Sequence, residues 1–198
     1  MAFGNGYCQN ETGYPAGNNY CGGFALCAIL NDIESKELEP LVVYGQVQEK
    51  QKYLGDPLAR LIKEKSKGSE TNICLPSSLA RCAAEDYRVE NPIILYSKEW
   101  SMPDTIIEAS CSLYMSTDIV GSDDWKSRIN DEAFKYFLFL VQDDNHWIAV
   151  KRKDDGDFLV YDPADGKEVE KDKDEIVSYL KDTKNDGKPI NLVIYFEK

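Results

Sequence analysis

Residues 17–30 read GNNYCGGFALCAIL, and the reading of this stretch decides the fold. Its second half carries Phe24, Ala25, Leu26, Ala28, Ile29 and Leu30, the composition of a core helix ending near Asn31 or Asp32. Its first turn instead holds Cys21, Gly22 and Gly23. Each glycine costs a helix about 1 kcal/mol relative to alanine, so their presence needs a reason. Small residues there would leave the Cys21 sulfur reachable as a nucleophile. The plainer alternative is that they permit tight helix–sheet packing around a small buried cysteine.

Working outward, residues 1–17 read as an irregular lead-in rich in Gly, Asn and Tyr. A second helical region is expected over 36–66, interrupted near Gly55-Asp56-Pro57. Pro57 suits the first turn of a new helix, followed by Leu58, Leu61 and Ile62 at helical spacing. Another helix is expected over 76–87, with Leu79, Cys82 and Ala83 inward. Ile93-Ile94-Leu95-Tyr96 is a short strand behind Pro92, and 103–114 reads as one more helix. The C-terminal third changes character. Strands are expected over 134–141, 146–152, 157–162 and 189–196, with a helix near 173–180 and a turn at Asp143-Asp144-Asn145. Helices first and a mainly antiparallel sheet afterwards make an α+β fold. No repeat, low-complexity tract or linker interrupts the chain, so one domain over 1–198 is expected.

A chain of 198 residues is long enough for a substantial core. Its formal charge of −12 repels nucleic acid and anionic membranes alike, which excludes both as main partners. No apolar run approaches the roughly 18 residues of a membrane span. The start, MAFGNGYCQNETGYP, lacks the basic and apolar parts of a secretory signal. A cytoplasmic location, or secretion without a signal peptide, is therefore expected, and Asn10-Glu11-Thr12 is read as a chance match to the glycosylation pattern. The six cysteines (8, 21, 27, 74, 82 and 111) are read as free thiols. One histidine and no Cys-x-x-Cys argue against a zinc site, and no metal or cofactor is expected.

That single histidine, His146, opens the strand HWIAVKR, and the next strand, DFLVYDP, brings Asp162 near its end. With a three-residue loop Asp154-Asp155-Gly156, Lys153 faces Asp157, Ile148 faces Asp162, and His146 is the diagonal neighbour of Asp162. With a loop centred on Asp154, His146 and Asp162 are directly opposed. Either odd loop puts both side chains on one sheet face within hydrogen-bonding reach, whereas a two-residue loop separates them. A carboxylate so placed would hold one ring nitrogen and leave the other to take a thiol proton. A histidine opening a strand, or an aspartate before proline, is unremarkable alone. The conjunction with Cys21 is what matters. At a helix start, free N–H groups and the peptide dipoles favour a thiolate, and the Cys21 N–H can donate to an oxyanion. Cys27 and Cys82 sit in apolar or alanine-rich helices, Cys74 and Cys111 have no helix-start glycine beside them, and Cys8 precedes no apolar helix.

The phrases YCGGFAL, NHWIAV and YDPADG, in that order, resemble marker segments of the papain-like cysteine peptidase superfamily. The likeness is to its bacterial branch, which includes double-glycine leader peptidases and effector proteases. It covers these three segments and the order of elements. The resemblance implies a helical N-terminal part whose central Cys-bearing helix packs on the sheet. It also implies Cys21 as nucleophile, His146 as general base and acid, and Asp162 as the orienting carboxylate. The family's oxyanion-hole glutamine, six residues before the cysteine, is replaced here by Pro15, leaving Asn18, Asn19 or Gln9 to supply the amide. The expected function is a cysteine-dependent amide hydrolase acting on a protein or peptide substrate through a thioester. The alternatives are a protein glutamine deamidase, an acyltransferase on the same triad, or an idle binding module.

Overall fold

The computed structural model describes residues 3–11, 14, 19–52, 73–99, 119–121, 125–142 and 145–197. Helix α1 spans Cys21–Glu34, α2 spans Pro40–Lys52 and α3 spans Pro76–Tyr87. Strands β1 (Ile93–Tyr96) and β2 (Ile119–Gly121) follow, then a short helix α4 (Trp125–Ile129). The C-terminal part holds β3 (Phe134–Val141), β4 (His146–Arg152), β5 (Phe158–Asp162) and β6 (Lys167–Lys171). A single turn α5 (Ile176–Ser178), a π-helix (Tyr179–Thr183) and β7 (Leu192–Glu197) complete the chain.

The strands form one sheet in the order β2-β1-β7-β3-β4-β5-β6. Every neighbouring pair is antiparallel except β1 and β2, which run parallel. The α+β reading stands, with a helical N-terminal part on a mainly antiparallel sheet. The expected helices at 57–66 and 103–114 lie outside the described residues, as do Asn18, Cys111 and most of the 143–145 turn. The expected 173–180 helix is broken instead into α5 and the π-helix.

Alternation along the strands separates two cores. Leu138, Leu140, Trp147, Ala149, Leu192 and Ile194 face one side, where α1, α2 and α3 pack. Phe139, Ile148, Val150, Phe158, Val160 and Val193 face the other, beneath α4, α5 and the π-helix, which contribute Ile129, Ile176 and Leu180. Helix α1 is buried from Cys21 through Asn31, as its apolar sequence requires. A side chain of this kind contributes roughly 1.5–3 kcal/mol when fully buried.

Residues 3–11 of the lead-in also have a defined place. The Tyr161 hydroxyl donates to Tyr7 O at 2.7 Å, and the Gln9 N–H donates to Pro163 O at 2.8 Å. The Cys8 thiol and the Asn10 amide both donate to Ala164 O, at 3.3 and 2.7 Å. Residues 3–11 thus line the β5–β6 turn instead of trailing from the helix.

Gly22 and Gly23 take their explanation from packing. A Cβ on Gly22 would stand 2.4 Å from Cys74 Cβ and 3.1 Å from Trp147 Cδ1. A Cβ on Gly23 would stand 2.7 Å from Tyr44 Cα in α2. The two glycines bring α1 into contact with α2, with the residues before α3 and with β4. They do not open the sulfur, since Cys21 is only 5% exposed. Helix propensity alone says that Gly23→Ala stabilises by about 1 kcal/mol. The contact with the α2 backbone predicts the opposite, a loss of roughly 1–3 kcal/mol read as a lower urea midpoint. A raised midpoint would show that the helices are not this close.

Candidate active site

The β4–β5 hairpin turns through Asp154, Asp155 and Gly156. Gly156 has a positive φ of 94°, a conformation that glycine takes without steric cost. The Lys153 N–H donates to Asp157 O at 2.7 Å and closes the loop. The register pairs Ala149 with Tyr161 and Arg152 with Phe158. Of the two odd loops considered, this is the three-residue one, with His146 diagonal to Asp162.

The consequence is a direct bond. His146 Nε2–H donates to Asp162 Oδ1 at 2.7 Å, with both residues buried, at 5% and 7% exposure. The same oxygen accepts the Ala164 N–H at 2.9 Å, and Oδ2 accepts from Lys184 Nζ at 2.7 Å. Three donors on one carboxylate fix its position. With Nε2 engaged, the ring has Nδ1 left for the thiol, and the Cys21 side chain is near enough to act on the imidazole, raising it together with Asp162. The structure therefore brings Cys21, His146 and Asp162 together.

They arrive from different layers. Cys21 belongs to the core on the α1 face of the sheet. His146 and Asp162 alternate in step with Ile148 and Val160, whose side chains face the other core. Because Cys21 opens α1 and His146 opens β4, the two side chains meet at an end of the sheet. Trp147, next to His146, ties this corner together, since its Nε1–H donates to Cys74 O at 3.0 Å.

Electrostatics follow from the contacts. Burial alone draws the His146 imidazole down, but the hydrogen bond to Asp162 and the nearby Cys21 outweigh it and push the ring up to about 9. Burial would raise Asp162, yet its bonds to His146 and Lys184 hold the carboxyl well below the usual carboxylate range. The aspartate is ionised and the imidazole protonated at neutral pH. Among the other thiols, burial pushes Cys74 and Cys82 up, and Cys27 to about 12. Tyr20, before the helix, makes no side-chain cap.

The oxyanion candidates separate. Asn19 is exposed, and Gln9 is anchored beside Pro163, the residue after Asp162, with a buried Oε1 that has no hydrogen-bond partner. Asn18 lies outside the described residues. Lys184 carries no signal in the sequence. It lies 22 residues past Asp162, after an irregular helix, with no pattern to mark it. All five described cysteines are free thiols, and among the described residues no group of His, Cys, Asp or Glu is arranged to hold a metal ion. Nor is any described helix long and apolar enough to cross a membrane.

No family model matches this chain, and neither a curated protein nor a solved structure matches it.

The raised imidazole ties stability to pH. A group lifted in the folded state from 6.5 to about 9 contributes fully below pH 6.5, and the contribution is lost as pH rises through about 9. The unfolding free energy is therefore expected to fall between pH 6.5 and 9, and to fall less steeply in His146→Gln, as read by urea titration. Cys27, Cys74 and Cys82, which burial raises, add the same slope to both proteins. Equal slopes throughout would contradict the assignment.

Proposed function

We propose that the chain is a thiol-dependent amide hydrolase of papain-like type, acting on a protein or peptide. The observation that carries this reading is the convergence of one thiol, one imidazole and one ionised carboxylate, with Asp162 hydrogen-bonded to His146 and Cys21 close enough to raise it. In the proposed reaction the Cys21 thiolate attacks the amide carbonyl carbon, and the carbonyl electron pair moves onto oxygen. The backbone N–H of Cys21, at the helix start, and a side-chain amide would stabilise that oxyanion. Gln9, whose backbone is held beside Pro163, is the described candidate for that amide, through its Nε2–H.

Collapse of the tetrahedral adduct breaks the C–N bond. The His146 imidazolium gives its proton to the departing nitrogen, leaving a thioester on Cys21 and a neutral ring. The ring then takes a proton from water as that water attacks the thioester. The acid is released, and the proton returns the pair to its starting state. Asp162 keeps the ring aimed and stabilises its charged form without itself taking the proton.

The 5% exposure of Cys21 supports a second reading, in which the site is closed and the fold serves as a binding module. Iodoacetamide separates the two. A working site predicts that Cys21 is alkylated below about pH 8, much faster than the other thiols, and that His146→Ala removes this preference. Equal labelling of all six cysteines favours the idle module. With a substrate found by screening peptides and proteins, Cys21→Ala is expected to abolish turnover. His146→Ala is expected to cut kcat roughly 10²- to 10⁴-fold, with the fold retained by circular dichroism. Retained activity in either variant would refute the mechanism. Product mass assigns the chemistry: fragments mean peptidase, an intact chain with Gln converted to Glu means deamidase, and an amine-dependent adduct means acyl transfer.

A further inference from the structure

The Asp162 carboxylate is shared. Its Oδ1 accepts from the imidazole and from the Ala164 N–H, while Oδ2 accepts from the Lys184 ammonium at 2.7 Å, in a largely buried ion pair. Lys184 follows the π-helix, on the face opposite α1, and its ammonium also lies 5.7 Å from the centre of the Tyr179 ring. Thus the imidazole and the ammonium divide one buried negative charge.

We propose that Lys184 is a positioning residue of this site: its ammonium holds the second carboxylate oxygen and limits how tightly Asp162 binds the imidazolium. The inference rests on the thiol-hydrolase reading for its purpose, but its physical content concerns His146 alone. A buried carboxylate with no other partner would hold an imidazolium strongly, because the low local dielectric strengthens the pair. The ring would then surrender its proton reluctantly, which is unsuitable for a group that must donate to a leaving nitrogen. A second cation on the same carboxylate opposes that by repulsion, while also keeping Asp162 ionised and aimed. The position of Asp162 supports this, since its pull below the ordinary carboxylate range comes from both His146 and Lys184.

Among the described residues, the charged and titratable groups that act on the imidazole are few. Asp162 comes from β5 and Cys21 from α1. Lys184, with Tyr179 behind it, acts through Asp162. β3 places the uncharged Val141 opposite His146. A change at Lys184 is therefore read cleanly at the ring.

Because His146 is the only imidazole in the chain, its titration can be followed by NMR without assignment ambiguity. The comparison is between the wild type, Lys184→Met, which keeps an apolar stem near Tyr179, and Lys184→Arg, which keeps the charge. Loss of the ammonium is expected to move the His146 midpoint upward by about one pH unit, and Arg to leave it within about 0.3 unit of wild type. An unchanged or lowered midpoint in a folded Lys184→Met protein would overturn the proposal and reduce Lys184 to a structural anchor. If Met prevents folding, Lys184→Gln, a neutral donor toward Oδ2, gives the same readout: a raised midpoint supports the charge sharing and an unchanged or lowered one overturns it. Wild-type alkylation at Cys21 tests the enzyme reading separately. A slow Cys21 with a shifted midpoint would remove the hydrolase but keep the charge sharing, and a fast Cys21 with an unshifted midpoint would do the reverse.

Discussion

The bond between His146 and Asp162 depends on a backbone constraint, the register of the β4–β5 hairpin. Gly156, at a φ that other residues adopt only under strain, closes a three-residue loop and fixes which residues face each other for the length of the hairpin. Slipping that register by one residue would turn Asp162 to the opposite face and leave a buried carboxylate and a buried imidazole without each other. Each would then be costly, because burial penalises an unpaired charge far more than a paired one. The hairpin therefore positions the two groups, and their burial makes the position hard to abandon.

The remaining member of the site is placed by packing. Cys21 reaches His146 because α1 lies against β4 and α2, and it can do so because Gly22 and Gly23 present no side chain to Cys74, Trp147 and Tyr44. The loss of helix propensity at these glycines is offset by burial of the whole first half of α1. On the far side of the sheet the π-helix delivers Lys184 to the same carboxylate. The site is thus a meeting point of both cores. A perturbation of either layer has a route to the imidazole.

What could be read from the sequence was what depends on local chemistry. The β4–β5 loop was legible because Asp-Asp-Gly favours an odd turn, and α3 because Leu79, Cys82 and Ala83 fall on one inward face of a helix. The pairing of His146 with Asp162 followed from strand parity alone. Strand β6, KEVEK, left no trace because charged residues on both sides of Val169 erase the period of two, as suits a sheet edge. The purpose of Gly22 and Gly23 was legible only as a pair of options, since a sequence does not say which segment lies against them. Lys184 was invisible for the same reason. Its role depends on where a broken helix ends, and neither α5 nor the π-helix has a repeat long enough to reveal that.

The proposed chemistry requires contact between the Cys21 sulfur and the His146 ring, and the ring itself can report it. NMR titration of His146 in the wild type and in Cys21→Ala is the most direct measurement. A midpoint near 9 in the wild type, falling clearly when the thiol is removed, is the predicted result, because Cys21 is one of the two groups that raise the imidazole. A midpoint that is the same with and without the thiol would mean that the two side chains do not meet, and the proposed chemistry would have no nucleophile.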